Sequence, residues 1–441
     1  MKKYWIGLLI IGLAGCLFLV SRTQAMDLNE SIDAAIQTNP TVAAAQKKAS
    51  AAGAKLGQAV SAFFPALDLN GNYGQSYSSP STVQISVGGV TQNYRIGSDS
   101  TAANSGVQAA LSQPLFVASL YPGYGLAKKG ADSAEEQYQQ TVIDISFNVT
   151  QSYFGVLKSI KMEKLMSDAL ATSKAHREQV QSMLNAGMAT KADLLQSKVR
   201  EANDNVALIQ SKYAIDLSKD TFNNVLGVDM QRPVELKDIG FTGKVNNIPE
   251  YAVLLSTAYD NRPDWKMYLL ETGMSEEQVK IAQSEYWPNL VLNANTGNQL
   301  TQYPTFQSSV NSWQIAGAGT WTLFDSFGRE GRINEAAENL AAQKAQVEQF
   351  KNNIALEVHD AYLNLKSALE VVIATQQAVD SAEESLKVST SRYDSGMGTN
   401  VDVLDAQVSL TQSLTDNLNA LFNVEIAKAK INQAVGKTML Q

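Results

Sequence analysis

The chain has little of what catalytic and disulfide-linked proteins depend on. It contains one cysteine, Cys16, and two histidines, His176 and His359, among 441 residues. A single cysteine excludes an intrachain disulfide. Neither histidine has a Cys or Asp/Glu cluster of metal-ligand spacing around it, so we interpret both as solvated or interhelical. No nucleophile arrangement stands out, and we expect neither an enzyme nor a cofactor or metal site.

Long apolar runs are missing beyond the N-terminus. An apolar stretch from Tyr4 to Val20 follows two lysines and leads to the small-x-small site Thr23-Gln24-Ala25, so residues 1–25 are predicted to be a secretory signal. Leu13-Ala14-Gly15-Cys16 also matches a lipoprotein processing box, which makes Cys16 a candidate for lipidation. Because the apolar run continues past Cys16, we prefer cleavage after Ala25. No later run reaches the roughly 18 apolar residues of a spanning helix, so membrane insertion requires β-strands.

Basic residues are fewer than acidic ones. The chain has 35 Lys and Arg against 43 Asp and Glu, for a formal net charge of −8. The predicted signal holds three of the basic residues and no acidic one, so the exported chain carries a charge near −11. This balance argues against nucleic acid as a partner.

One motif occurs twice, 209 residues apart. Asn185-Ala186-Gly187-Met188-Ala189-Thr190 and Asp394-Ser395-Gly396-Met397-Gly398-Thr399 each end a long helical pattern, and a helix restarts after each with Asp-x-Leu. Gly adopts the left-handed C-terminal position at little cost, and Thr caps the next helix. One copy alone would be an ordinary helix corner, but two copies indicate an internal repeat of helical tips.

The repeat predicts how the chain is divided. After the signal we expect a first repeat over 26–227, with a β-hairpin at 65–116 and a tip near 187. A linker or equatorial segment at 228–249 leads to a second repeat over 250–436, with a β-hairpin at 288–324 and a tip near 396. Residues 437–441 form a C-terminal tail.

Alternating residues predict the two hairpins. Leu67 to Tyr77 and Val107 to Phe116 are apolar on one side and small or polar on the other, and Leu290 to Asn295 and Trp313 to Leu323 repeat the pattern. The segments Gly74 to Ala103 and Gly297 to Val310 are rich in Ser, Thr, Gly and Asn and are predicted surface loops.

Aromatic residues lie at both ends of these strands. They are Phe63, Phe64, Phe116, Tyr286, Trp287, Trp321 and Phe324 at the helix end, and Tyr73, Tyr77, Tyr303 and Trp313 at the loop end. Such girdles favour a membrane barrel that faces lipid outside and water inside, with a soluble sandwich as the alternative. Four strands cannot close a barrel, so it must be shared among subunits.

Long helices follow each hairpin. A 4-3 apolar spacing runs from Ile333 to Tyr393 and, in the first half, from Ala131 to Leu184. Such a seam of about 60 residues predicts a helix of roughly 90 Å. Returning helices are expected over Lys191 to Val225 and Asn400 to Ala434. Before each hairpin a shorter helical pattern is interrupted at Asn39-Pro40 and at Asn261-Arg262-Pro263.

Two acidic residues lie just past the second tip. Asp402 and Asp405 are three apart and share one helix face. Favourable interaction with the helix dipole, at roughly 0.3 to 1 kcal/mol, explains one carboxylate but not two. In a ring of subunits the pair would create a negative constriction.

The order of helix, hairpin, long helix, tip and returning helix resembles the TolC-type outer membrane efflux protein family. The resemblance covers residues 27–436 and is most specific at Tyr393 to Gly396, Val401 to Ala406, Pro114-Leu115-Phe116 and Thr322 to Asp325. It implies an α+β membrane protein of the Gram-negative outer membrane. In a homotrimer, twelve strands would form one barrel that helices continue as a periplasmic tunnel.

The resemblance also implies function and site residues. Such proteins are passive exit ducts for efflux or type I secretion that dock to a periplasmic adaptor and an inner-membrane transporter. Asp402 and Asp405 match an acidic ring at the entrance, and Tyr393 and Asp193 match a latch that holds it shut. Gly398 and Ala192 stand where other members carry further polar latch residues. The tip positions implied in folding or adaptor docking are Gly187, Thr190, Leu194, Gly396, Thr399 and Leu404.

A second hypothesis is a structural coiled-coil envelope protein or adhesin without transport activity. It needs no aqueous lumen, so channel conductance distinguishes the two. The sequence does not indicate whether the cargo is a drug, a metal or a protein.

Overall fold

The computed structural model describes residues 25–97, 99–238 and 247–440. The predicted signal up to Gln24, including Cys16, lies outside the described residues, as does part of the 228–249 segment. The first half contains α1 (Leu28–Thr38), α2 (Pro40–Ser61), β1 (Ala66–Ser78), β2 (Ser81–Val87), β3 (Val90–Ile96), β4 (Ser100–Phe116), α3 (Leu120–Asn185) and α4 (Lys191–Leu226). The second half contains α5 (Tyr251–Asn261), α6 (Pro263–Ser284), β5 (Asn289–Gln302), β6 (Gln307–Thr320), α7 (Gly328–Asp394) and α8 (Asn400–Val435).

The helices confirm the internal repeat. Helices α1 and α2 have 11 and 22 residues, and so do α5 and α6. The long helices α3 and α7 have 66 and 67 residues, and α4 and α8 have 36 each. The predicted α7 seam is buried at Ile354, Val358, Ala361, Leu365, Val379, Ala382 and Tyr393. No helix among the described residues is both long enough and apolar enough to cross a membrane.

Four strands form one antiparallel sheet in the order β1-β4-β5-β6. Strand β1 pairs with β4 from Ala66 opposite Ser112 to Ser78 opposite Ser100. The predicted apolar face of β1 is exposed within the chain, as Leu67 at 72% and Leu69 at 75% show. Strands β1 and β6 form the edges of this sheet, and edge strands carry backbone groups that can pair with a neighbouring chain.

Two predicted loops are largely strands, so that prediction was wrong. Within Gly74 to Ala103, β1 extends to Ser78, β4 begins at Ser100, and a separate hairpin of β2 and β3 lies between them. Within Gly297 to Val310, only the residues between Gln302 and Gln307 remain as a turn. Ser, Thr and Asn side chains of these strands bond to one another across the sheet, as Asn298 does to Ser309 and Asn311, so a loop-like composition hid the pairing.

The described chain divides into two compact units. The first comprises the described residues of Met1–Asn39, Ile145–Asn246 and Asn364–Ala429. In its core the ring of the buried Tyr153 packs edge-on against Phe154 and Phe222. The Tyr153 hydroxyl donates to the carbonyl of Lys237 at 2.7 Å, which fixes the segment after α4 to this unit.

The second unit comprises Pro40–Asp144, Asn247–Leu363 and the described residues of Lys430–Gln441. It contains the sheet and a buried ionic joint at the break between α5 and α6. The guanidinium of Arg262, 7% exposed, donates to the Ala434 carbonyl at the end of α8 at 2.9 Å. Arg262 also forms ion pairs with Asp264 at 2.6 Å and Glu357 at 2.8 Å.

The residue before each proline serves the same purpose in both repeats. Asn39 and Arg262 are extended, with ψ of 123° and 121°, as a residue before proline prefers. Within the first unit, the Asn39 side chain donates to the Val225 carbonyl in the last turn of α4 at 2.7 Å. The last carbonyls of a helix have no intrahelical partner, so both breaks cap a returning helix.

Candidate functional site

Both predicted tips have the same backbone geometry. Gly187 and Gly396 adopt φ of 78° and 71°. The amide of Met188 donates to the Met183 carbonyl and that of Met397 to the Arg392 carbonyl, each at 2.8 Å. These six-to-one bonds with a left-handed glycine are Schellman motifs, which close a helix tightly enough for the chain to reverse.

The returning helices begin with the same capping box. The Thr190 hydroxyl accepts from the Asp193 amide at 3.2 Å, and the Asp193 carboxylate accepts from the Thr190 amide at 2.9 Å. Thr399 and Asp402 repeat both bonds at 3.2 and 2.9 Å. Asp193 and Asp402 therefore each satisfy helix N–H groups that would otherwise lack a partner.

We expect Gly396→Val to loosen the second tip and Gly396→Asn to leave it nearly intact. Apart from Gly396 and its two chain neighbours, no atom of the described residues lies within 4 Å of an added Cβ at this position, so the left-handed backbone is what opposes a side chain. That conformation costs roughly 1 to 2 kcal/mol for an ordinary residue, is least favourable for a β-branched one and is tolerated by Asn. The Met397 amide should exchange its hydrogen about tenfold faster in the valine variant. Equal exchange in both variants would show that the glycine is not needed for its conformation.

An apolar cluster joins the two tips within the first unit. Val180, Leu194, Tyr393 and Val403 are buried together, with Met183, Leu184, Ala189 and Leu386 against them. Leu194 is only 7% exposed, so within one subunit it packs in the tip rather than presenting a surface. Of the other predicted tip positions, Thr190 and Thr399 are exposed and Leu404 is half-buried.

The predicted latch residues lie in the same region but form no hydrogen bond to each other. The hydroxyl of Tyr393 is buried and has no hydrogen-bond partner in the described chain. The Asp193 carboxylate accepts from the amide and the hydroxyl of Thr190. Burial, with the nearby charges of Asp193 and Asp394, raises the pKa of Tyr393 and keeps its hydroxyl protonated. The latch pair remains a prediction about the assembled channel.

Hydrogen bonds of the Asn400 side chain join the two tips, and we call this group the polar hub. The sequence did not predict it. Asn400, 2% exposed, accepts at Oδ1 from His176 Nε2 at 2.9 Å and from the Ser197 hydroxyl at 3.2 Å. Its Nδ2 donates to the Asp193 carbonyl and to Gln196 Oε1, both at 3.2 Å. All four hydrogen-bonding positions of the amide are thus satisfied by α3 and α4. His176 therefore makes an interhelical contact, which is one of the two alternatives, solvated or interhelical, that the sequence left open.

Asp402 and Asp405 line one open groove, as their spacing predicts. Ser385, Ser389 and Arg392 of α7 line the same groove. Hydrogen bonds from Thr399 lower the pKa of the exposed Asp402 carboxyl, and the charge of Arg392 adds to this effect. The groove therefore holds two carboxylates and one guanidinium per subunit, so its negative charge is smaller than the sequence pair alone suggested.

Gly398 has a packing reason to lack a side chain. A Cβ at this position would lie 3.1 Å from both the Arg392 Cβ and the Tyr393 backbone nitrogen. Any larger residue would press against the last turn of α7. A basic residue, which the resemblance implies at this position in some family members, would not fit without a shift of α7. Ala192, the position of its implied partner, is exposed.

The described residues contain no cluster of metal ligands. No group of three or more His, Cys, Asp and Glu side chains among them could hold a metal ion. The ring of His359 packs edge-on against Tyr251 within the second unit, with centroids 4.9 Å apart. It therefore makes an interhelical contact between α5 and α7.

The described residues combine one four-stranded sheet with two long helical hairpins whose tips have the same turn geometry. A model of the outer membrane efflux protein family matches residues 31–228 and 254–437, so the chain belongs to that family. The family consists of channel proteins rather than enzymes. The predicted fold class, outer-membrane localisation and role as an exit duct for efflux or secretion are confirmed, and barrel closure requires the trimer.

Individual relatives agree with this assignment. The chain is 23% identical to the outer membrane protein TolC of Escherichia coli strain K12, over 99% of this chain and 87% of TolC. It is 20% identical to the alkaline protease secretion protein AprF of Pseudomonas aeruginosa, over 74% and 68% of the two chains. The crystal structure of the outer membrane protein VceC of Vibrio cholerae has the same fold, with a TM-score of 0.75 and 21% identity over 93% of this chain and 96% of VceC.

Proposed function

We propose that three copies of this chain form a passive duct that docks to a periplasmic adaptor and receives its cargo from an inner-membrane transporter. The observation that supports this most directly is the duplicated tip, whose second copy has Asp402 and Asp405 in an open groove between α7 and α8. A passive role for the chain is supported by its membership of a family of channel proteins. The transporter therefore drives export.

The tips have two further roles in this proposal. Their exposed residues, including Gly187, Thr190, Gly396 and Thr399, meet the adaptor, while Leu194 and Leu404 shape the surface from within. Tyr393, Asp193 and the Asn400 hub hold the entrance closed at rest. Cys16 is the lipid attachment point if the lipoprotein box, rather than the site after Ala25, is used.

Single-channel recording tests the duct directly. Purified trimer inserted into a planar lipid bilayer is expected to give stepwise, cation-selective currents because the groove at the tips carries a net negative charge. Folded trimer that gives no currents would contradict the duct and favour a structural envelope protein or adhesin. Native mass spectrometry of the same sample establishes that the trimer was intact.

We expect Asp402→Asn with Asp405→Asn to weaken cation selectivity and block by divalent cations. Arg392→Gln should strengthen both, since it removes the one cation of the groove. Asp416→Asn is the matched control, because Asp416 is an α8 carboxylate bonded to Gln412 outside the groove. The lowered pKa of Asp402 keeps its carboxylate charged, so its share of the selectivity should persist as pH falls below the usual aspartate range.

The acidic groove is not the selectivity site if the double variant retains wild-type block. An equal loss in Asp416→Asn would instead assign the effect to overall charge.

A further inference from the structure

The β2–β3 hairpin is a separate structural unit between two strands of the main sheet. Strand β2 pairs with β3 from Ser81 opposite Ile96 to Val87 opposite Val90, and neither strand joins the four-stranded sheet. Gly88 and Gly89 form the turn with φ of 62° and 86°, the conformation of a type I′ turn. This turn matches the twist of paired strands, so the hairpin is well formed locally.

The two faces of the hairpin differ sharply in chemistry. Paired residues of antiparallel strands point to the same side. One face therefore carries Val83, Ile85, Val87, Val90, Tyr94 and Ile96, which are 40% to 75% exposed. The other face carries Thr82, Gln84, Ser86, Thr91, Asn93 and Arg95, where the hydroxyls of Ser86 and Thr91 bond at 2.7 Å. We call the first set the apolar hairpin face.

The apolar hairpin face lies beyond the loop-end aromatic residues of β1. Tyr73 and Tyr77 mark the level at which a barrel strand leaves the lipid interior. The hydroxyl of Tyr77 donates to the Asp99 carboxylate at 2.6 Å, so an acidic side chain lies at the base of the hairpin. A carboxylate at this level places the hairpin outside the hydrocarbon region.

A hairpin in this place requires a cover. A two-stranded hairpin alone is marginally stable in water, and a contiguous exposed apolar patch marks an interaction site. On the apolar hairpin face the one large polar side chain, Gln92, already accepts from the Tyr94 hydroxyl at 2.8 Å. Apart from Ser81 and this Gln92–Tyr94 pair, the side chains of the face are aliphatic.

We propose that the apolar hairpin face packs against the same face of the other two copies in the trimer, so that three hairpins meet at the outer mouth of the duct. The hairpin continues from β1, an edge strand of the sheet that closes into a shared barrel only between subunits. It therefore lies next to an interface that the fold already requires.

The charge distribution favours a second copy as the occupant. Arg95 is the only charged residue of the hairpin, and it lies on the polar face. Three identical apolar faces can meet on a three-fold axis without bringing like charges together. A self-complementary contact of this kind satisfies the face with no further partner.

Cysteine cross-linking tests the contact. Val87→Cys, which is on the apolar hairpin face, is expected to form a disulfide between identical positions, which only two chains can make. Denaturing electrophoresis should show covalently linked pairs of chains whose yield does not depend on trimer concentration. Ser86→Cys on the polar face is the matched control and should remain unlinked, and the unsubstituted chain gives the background from Cys16.

Absence of the Val87→Cys link, or equal links in both variants, overturns the proposal when native mass spectrometry shows an intact trimer. Because the trimer is measured separately, this result leaves the duct itself untouched.

Proteolysis provides a second measurement. Arg95 is the only trypsin site in the hairpin, so cleavage there reports how well the hairpin is held. Ile85→Glu should speed cleavage several-fold, because three like charges would meet, whereas Gln84→Glu on the polar face should not. If protection occurs only in lipopolysaccharide-containing membranes and the Val87→Cys link is absent, lipid covers the face and the proposal is wrong.

Discussion

Replacing Arg262 by alanine is expected to lower the free energy of unfolding by about 3 kcal/mol or more, the cost of breaking a buried ion pair by removing one partner. The substitution leaves Glu357 without its guanidinium and the Ala434 carbonyl without its donor. Urea denaturation followed by circular dichroism measures the change. Arg262→Lys should restore part of the loss, since an ammonium keeps the charge but cannot pair with Asp264 through two nitrogens, as Arg262 does.

Arg332→Ala is the control for an arginine that forms comparable ion pairs at the surface. Arg332 pairs with Glu285 and with Asp325, but its side chain is half exposed. Exposed pairs of this kind contribute little to stability, because water screens them. Equal destabilisation by Arg262→Ala and Arg332→Ala would show that burial does not set the strength of the joint.

Acid should weaken the same joint. Burial raises the pKa of Glu357, but Arg262 and Lys430 outweigh that effect and the net pKa is lowered. A carboxylate with a lowered pKa contributes stability above its unfolded pKa and loses it as pH falls through the folded value. The stability difference between wild type and Arg262→Ala should therefore shrink once pH falls below the ordinary glutamate range.

Replacing Asn400 by alanine is expected to open the resting channel. The substitution removes four hydrogen bonds and leaves the buried His176 ring without its partner, whereas the Ser197 hydroxyl keeps its bond to the Asp193 carbonyl. Each unsatisfied buried group costs about 1 to 3 kcal/mol, and 1.4 kcal/mol shifts a two-state equilibrium tenfold. We therefore expect the open probability in a planar bilayer to rise at least about tenfold. Cells that carry the variant should admit large antibiotics that the closed channel excludes.

Asn417→Ala provides the matched control. Asn417 is a buried asparagine on the same helix, 7% exposed, and it donates to Gln376 at 2.8 Å away from the tips. The Asn417→Ala substitution should lower the free energy of unfolding without raising the open probability of the channel. If both variants leak equally, the effect belongs to α8 packing in general. If Asn400→Ala stays closed while its stability falls, the hub is structural and does not hold the entrance.

Much of the fold follows from local rules. Gly187 and Gly396 end long helices in both halves, and Thr190 and Thr399 begin the next ones, because these residues satisfy the end groups of a helix wherever it lies. Pro40 and Pro263 start α2 and α6 for the same local reason. The β2–β3 hairpin could also have been predicted, since Val83, Ile85 and Val87 alternate with polar residues before Gly88-Gly89. Its loop-like composition obscured this alternation.

The site was less predictable. Asp402 and Asp405 share a face because helical spacing requires it, and the structure brings both to one groove. Arg392 joins them from the other side of the tip, and its effect on the groove depends on how α7 and α8 pack. The polar hub is harder still to predict from the sequence, because His176 and Asn400 are 224 residues apart and no periodic pattern indicates their hydrogen bond.

The sequence by itself determined the repeat, the tips, the proline breaks and the polarity of the strands, since each depends on residues within about one helical turn or strand. Only the tertiary structure decided that Asn400 rather than Tyr393 is fully hydrogen-bonded within the subunit, and that Gly398 is required by the approach of α7. It also showed that Arg262 caps α8 in the way that Asn39 caps α4. These outcomes depend on which distant backbone and side-chain atoms come within hydrogen-bonding or van der Waals distance, and the order of residues along the chain does not specify that.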